Sequence, residues 1–133
     1  MSDSDSVQTS EIKIPYRDIN AEGRLHNASY LIHAEEALAA FWQGRPSVDG
    51  EPAYRLRKFA CTLRHPLTLD DSVRFGVRVD KIGGKSVGFR VLLERDGEIA
   101  AEVEISWIAV DADSGDVLAL PEETRDWLYR YLD

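Results

Sequence analysis

The 133 residues carry 16 basic and 24 acidic side chains, a formal net charge of −8. That balance argues against a surface built to grip the phosphates of nucleic acid or membrane. Apolar residues make up 44% and charged residues 30%, the proportions of a water-soluble domain, and the length suits one unit that buries its own core.

No apolar run approaches the roughly 20 residues that span a bilayer. Met1–Ser10 is rich in Ser and Asp and lacks the basic and apolar regions of a signal peptide. It is expected to be a disordered tail ahead of a domain covering residues 11–133. Glu11 to Tyr16 alternates as a short strand, and Pro15 suggests an edge position. A polar loop, Arg17 to Ser29, follows. Tyr30 to Trp42, YLIHAEEALAAFW, is rich in strong helix formers and holds neither Gly nor Pro. Asn27 or Ser29 is a candidate N-cap, and Gly44 with Pro46 a stop signal. Helical spacing puts Leu31, Glu35, Leu38, Ala39 and Trp42 on one face and leaves a narrow polar stripe of His33, Glu36, Ala40 and Gln43. A helix this apolar must be covered on most sides.

Gln43 to Pro52 is a loop, and sheet follows. Ala53 to Arg64 reads as a strand ending at Pro66. Asp71 to Asp80 and Val87 to Glu94 alternate cleanly around the turn Lys81 to Ser86. Arg95-Asp96-Gly97 is a hairpin turn of the Asp-Gly type. Ile99 to Val110 is the longest strand. Pro121 to Leu132 reads as a short helix, with Pro121 at its first position and Glu122 and Glu123 at its positive end. The order β–α–β–β–β–β–α predicts an α+β domain with an antiparallel sheet wrapped on the one large helix. Oligomerisation would cover an exposed sheet edge. Cys61, the only cysteine, reads as a small strand residue. It excludes an intrachain disulfide and suits a reducing, cytoplasmic setting.

The segment YRDINAEGRLHNASYLIHAEE resembles the loop and helix of hot-dog-fold acyl-CoA thioesterases of the 4-hydroxybenzoyl-CoA thioesterase type. Tyr16, Asp18, Gly23, Leu25, Asn27, Tyr30, Glu35, Glu36 and Ala37 fall on that pattern. Arg64-His65-Pro66 to Asp71, the turn Lys81 to Phe89, the tryptophan strand and the Asp111 to Gly115 turn continue it. The resemblance implies a long helix wrapped by five or six antiparallel strands. It also implies a homodimer or homotetramer with sites at the subunit interface, an acyl-CoA substrate, and no metal or organic cofactor.

Hydrolysis of a thioester asks for a carboxylate as nucleophile or as base for water, N–H groups to polarise the carbonyl, and an apolar tunnel. The resemblance gives the polarising amide to Asn27. The carboxylate of many members falls on Asn20, whose amide is no base. Another group must then take over, or the reaction is lost. Candidate catalytic residues are therefore Asn20, Glu35, His26, Asn27 and Asp18. Glu35 is expected on the buried face, either catalytic or bonded to loop amides. His26 is a possible base, and Asp18 is expected to bond nearby loop N–H groups. His33 is assigned to the surface or an interface, and His65 to no function. Lys58, Arg64, Lys85 and Ser86 are candidates for holding coenzyme A, whose phosphates the local cations would neutralise. KIGGKS lacks the spacing of a P-loop, and the histidines and carboxylates show no metal-ligand spacing. Three functions stay open: a thioesterase, a protein that binds acyl thioesters without hydrolysing them, and a dimer without a ligand.

Overall fold

The computed structural model describes residues 8–133. It shows five strands and two helices: β1 (Gln8–Lys13), α1 (Asn27–Trp42), β2 (Ala53–Leu63), β3 (Ser72–Ile82), β4 (Ser86–Arg95), β5 (Glu98–Val110) and α2 (Glu122–Tyr129). All pairings are antiparallel, in the order β1-β3-β4-β5-β2. This is the hot-dog arrangement, with the sheet folded on α1. Among the described residues no helix is long and apolar enough to cross a membrane.

The strand alternation sets the core. Val73, Phe75, Val77 and Val79 of β3, Val87, Phe89, Val91 and Leu93 of β4, and Ala101, Val103 and Ile105 of β5 are all buried. In an antiparallel pair, directly opposed residues share a face, so these rows form one apolar surface against α1. Asp96 and Gly97 both have positive φ, 53° and 80°, the two-residue turn that matches strand twist and that an Asp-Gly pair favours.

Several boundaries move. β1 begins at Gln8, inside the segment read as a tail; residues 1–7 lie outside the described residues. Pro15 sits beyond its end, and β1 is indeed an edge. Helix α1 starts at Asn27, three residues early, with His26 as N-cap and no side-chain cap bond. The apolar period begins only at Tyr30, while the first turn Asn27-Ala28-Ser29 is polar and gives no periodic signal. Pro121 is the N-cap of α2, one position outside the helix.

The buried face of α1 also differs from expectation. It is Ser29, Tyr30, His33, Ala34, Ala37, Leu38, Phe41 and Trp42. His33 is 9% exposed, whereas Glu35 and Ala39 are exposed. A helix apolar nearly all round carries little phase information, so the sheet decides which side it covers. At its far end Phe41 and Trp42 join Tyr54, Phe89, Trp107, Trp127 and Tyr131, ring to ring, at centroid distances of 4.9–6.2 Å. Arg45 lies 5.0 Å over the Trp42 ring.

The other edge strand, β2, is long, and among the described residues its outer side is unpaired. Leu56, Phe59 and Leu63 oppose Trp107, Ile105 and Ala101 of β5, so they point to the helix side of the sheet. They are 40–51% exposed.

Candidate active site

The loop before α1 is organised by Asn20. Its Oδ1 accepts the backbone N–H groups of Glu22 at 2.9 Å and Arg24 at 3.1 Å. Its own N–H donates to Arg24 O at 2.7 Å, and Gly23 N–H returns to Asn20 O at 3.0 Å. Two N–H donors require the oxygen of the side chain to face them, which places Nδ2 on the other side. Among the described residues Nδ2 has no protein partner. Gly23 takes φ 81° to close the turn, a conformation that favours glycine.

Asp18 plays a different part from the one expected. Its carboxylate does not hold loop amides. Oδ2 accepts from His33 Nε2 at 2.9 Å, and the other ring nitrogen of His33 lies 3.2 Å from Glu36 Oε1. The backbone oxygen of Asp18 accepts the His26 N–H at 2.9 Å. Asp18 and the buried His33 thus pin the loop to the side of α1, next to the helix start. A surface role for His33 is corrected: the ring is packed 6.3 Å from Phe75.

Beyond this loop, the start of α1 opens into a hollow of about 400 Å³ lined by Asn20, Glu22, Arg24, Leu25, Asn27, Tyr30, Leu63, Arg64, His65 and Pro66. The first N–H groups of a helix have no carbonyl within it to donate to, and among the described residues the Asn27 amide has no acceptor, which leaves it a donor at the positive end of the α1 dipole. The opposite wall is the end of β2. Arg64 and His65 both donate their backbone N–H to Ala100 O, at 2.8 and 3.0 Å. Tyr30 Oη accepts the Leu67 N–H at 3.1 Å, and Leu25 N–H donates to Leu67 O at 2.8 Å. The wall is held from behind by Asp71. Its Oδ2 accepts from Thr68 N–H at 2.8 Å, the Thr68 hydroxyl at 3.1 Å and Arg95 at 2.9 Å; Arg95 also donates to Pro66 O at 2.9 Å. Partial burial raises the Asp71 carboxyl, but these donors together outweigh it and hold the group below its ordinary range.

Of the sequence candidates, Asn20, Asn27 and Arg64 meet in this hollow. Arg64 also lies 3.6 Å from Glu102. Asp18 stands behind the loop. His26 caps the helix, is exposed, and is absent from the lining. Glu35 is not on the buried face: it is exposed, eight positions along α1 from Asn27, about 12 Å of helical rise. Lys58 and Ser86 belong to a second hollow of about 430 Å³ on the outer face of the sheet, with Arg57, Lys81 and Ser106 but also Asp80 and Glu104. Lys85 is exposed in the turn before β4. His65, to which the sequence assigns no function, also lines the hollow. It follows the last residue of β2 by two positions, and no local pattern announces that this bend faces the start of α1.

Comparison with known proteins agrees with this fold. Residues 14–128 match the family model described as the thioesterase-like superfamily. The chain is 25% identical over 127 residues to the long-chain acyl-CoA thioesterase FadM of Escherichia coli (strain K12), covering 89% of this chain and 94% of that one. Among solved structures, it is similar to the PA5185 protein from Pseudomonas aeruginosa, with 22% identity, a TM-score of 0.83, and 94% and 91% of the two chains covered. It is also similar to the SAV2348 protein from Staphylococcus aureus, solved in complex with CoA, with 15% identity, a TM-score of 0.83, and 96% and 86% covered.

Proposed function

This chain belongs to the thioesterase-like superfamily, and we propose that it hydrolyses the thioester of an acyl-coenzyme A. One observation carries the reading: the hollow at the start of α1 brings the free Asn27 amide together with Asn20 and Tyr30. A thioester carbonyl set there accepts the Asn27 N–H. The donor is aligned with the helix dipole before the reaction begins, so charge that develops on the oxygen is met without reorganisation. Asn20 Nδ2 adds a second donor. Arg64 at the rim offers a cation for a phosphate of coenzyme A. Lys58 and Ser86 could serve farther out on the sheet, although Asp80 and Glu104 in the same hollow offset part of its positive charge.

The reading includes a homodimer, with assembly to a tetramer as a further step, in the cytoplasm. An unpaired 11-residue edge with Leu56, Phe59 and Leu63 exposed is a surface that soluble proteins cover. Leu63 lines the hollow, so a partner seated on β2 would stand beside the site. Ala28, Ile32, Glu35 and Ala39 form an exposed stripe on α1 that a second subunit would extend over.

A second reading follows from Asn20, whose oxygen is already engaged: the hollow binds an acyl thioester and leaves it intact. A panel of short, long and aromatic acyl-CoAs, assayed for released thiol, separates the two. Turnover of any member supports the hydrolase. Thermal stabilisation by coenzyme A with no thiol released from the whole panel rejects it in favour of the binder.

A further inference from the structure

We propose that His65 is the general base of this hydrolysis, with Asn20 beside it as a hydrogen-bond donor; the inference rests on the thioesterase reading. Water must lose a proton as it attacks a thioester carbonyl, and within one chain a group lining the hollow is placed to take that proton. Asn20 cannot, because its oxygen holds two backbone N–H groups and its amide nitrogen has no basic lone pair. The Asp18 carboxylate is turned away to His33, and Glu35 lies outside the lining. The charged and titratable residues that line the hollow are Glu22, Arg24, Tyr30, Arg64 and His65, and the Tyr30 hydroxyl is held by the Leu67 N–H. Guanidinium groups do not deprotonate in proteins, and a phenol is a base only at high pH. Glu22 and His65 remain.

Two features favour His65. An imidazole takes up a proton near neutral pH and is a stronger base than a carboxylate. The backbone of His65 is also fixed: its N–H and that of Arg64 share the Ala100 carbonyl, and Pro66 follows. Glu22 sits on the exposed turn Ala21–Gly23, which no strand end or proline fixes, and its backbone N–H is held by the Asn20 side chain.

The step balances without any other reactant. The unprotonated ring nitrogen of His65 takes a proton from water as the water oxygen bonds to the carbonyl carbon. The oxyanion is held by the Asn27 N–H and Asn20 Nδ2. Collapse breaks the C–S bond. The sulfur leaves with the bonding pair and takes the proton from the imidazolium, giving the acid, the thiol of coenzyme A and a neutral His65. The product acid then loses its proton to solvent.

The test is kcat and KM for thiol release across about pH 5 to 9 in the wild type, His65→Gln, Glu22→Gln and the double variant Asn20→Asp/His65→Gln. His65 is exposed, so a far-UV melt is expected to show His65→Gln folded. The expected result is a loss of about a hundred-fold or more in kcat with KM little changed, and loss of the rising limb of the pH profile. Asn20→Asp should restore hydrolysis on that background, with the limb moved to lower pH, because a carboxylate oxygen then stands where Nδ2 was. If the wild type hydrolyses and His65→Gln keeps both rate and limb, the inference is overturned while the thioesterase reading stands; loss in Glu22→Gln instead would name the other base. A wild type that releases no thiol at any pH overturns both.

Discussion

The Tyr30 hydroxyl accepts the backbone N–H of Leu67 at 3.1 Å, inside the protein. One residue lies in the first turns of α1 and the other just past β2, so this bond joins the two walls of the hollow. Tyr30→Phe keeps the ring, which is 2% exposed, and strands the Leu67 N–H. We expect a loss of about 1–3 kcal/mol in urea unfolding, together with lower kcat, because the wall carrying His65 and Arg64 loses its tie to the helix. Unchanged stability would show that water replaces the hydroxyl.

Asp71 braces the same wall from outside. Because its folded carboxyl is held below the ordinary range, the ionised form favours the folded state. That contribution is complete above the unfolded pKa and disappears as pH falls through the folded one. Asp71→Asn is expected to lose about 1.5–3 kcal/mol at neutral pH, through weaker bonds to Arg95 and the Thr68 N–H. The gap between variant and wild type should narrow on acidification, below the ordinary carboxylate range. A gap constant with pH would remove the ionised group from the explanation.

Glu35 has no salt bridge among the described residues, and α1 turns it outward. Glu35→Gln should therefore change stability by less than about 0.5 kcal/mol. Since it lies outside the hollow, kcat for an acyl-CoA that the wild type hydrolyses should also stay the same. A large fall in kcat would place Glu35 in a site completed across the subunit interface.

The exposed edge offers a separate test. Phe59 is 51% exposed in the middle of β2. Phe59→Lys puts a charge on the edge expected to pair with a second copy. Sedimentation velocity should show the wild type as a dimer or larger and the variant shifted toward monomer, with thiol release falling in parallel. A wild type that sediments as a monomer, or a variant that stays fully assembled, would remove β2 from the interface.

Much of the architecture was legible from local pattern. Alternation located the strands β3, β4 and β5, Asp96-Gly97 their hairpin, and the run from Tyr30 to Trp42 the helix. The order of motifs from Tyr16 to Gly115 pointed to the family. These features rest on neighbours within a few residues, where backbone geometry maps directly onto periodicity. The site was less legible. Asn20 and Asn27 were candidates through the resemblance of one contiguous segment to a family motif, whereas the part played by Asp18 depends on His33, 15 residues away.

Local pattern alone was enough to require that a helix apolar on nearly every side be wrapped by an antiparallel sheet. Which side of that helix is covered depended on packing, since no polar stripe was wide enough to set its phase. The sheet covers the face of Tyr30, His33 and Leu38 and leaves Glu35 in solvent. Packing also decided what surrounds Asn20. Residues 64–66 follow the far end of an 11-residue strand, and only the packing of β2 beside β5 brings His65 to the hollow at the start of α1.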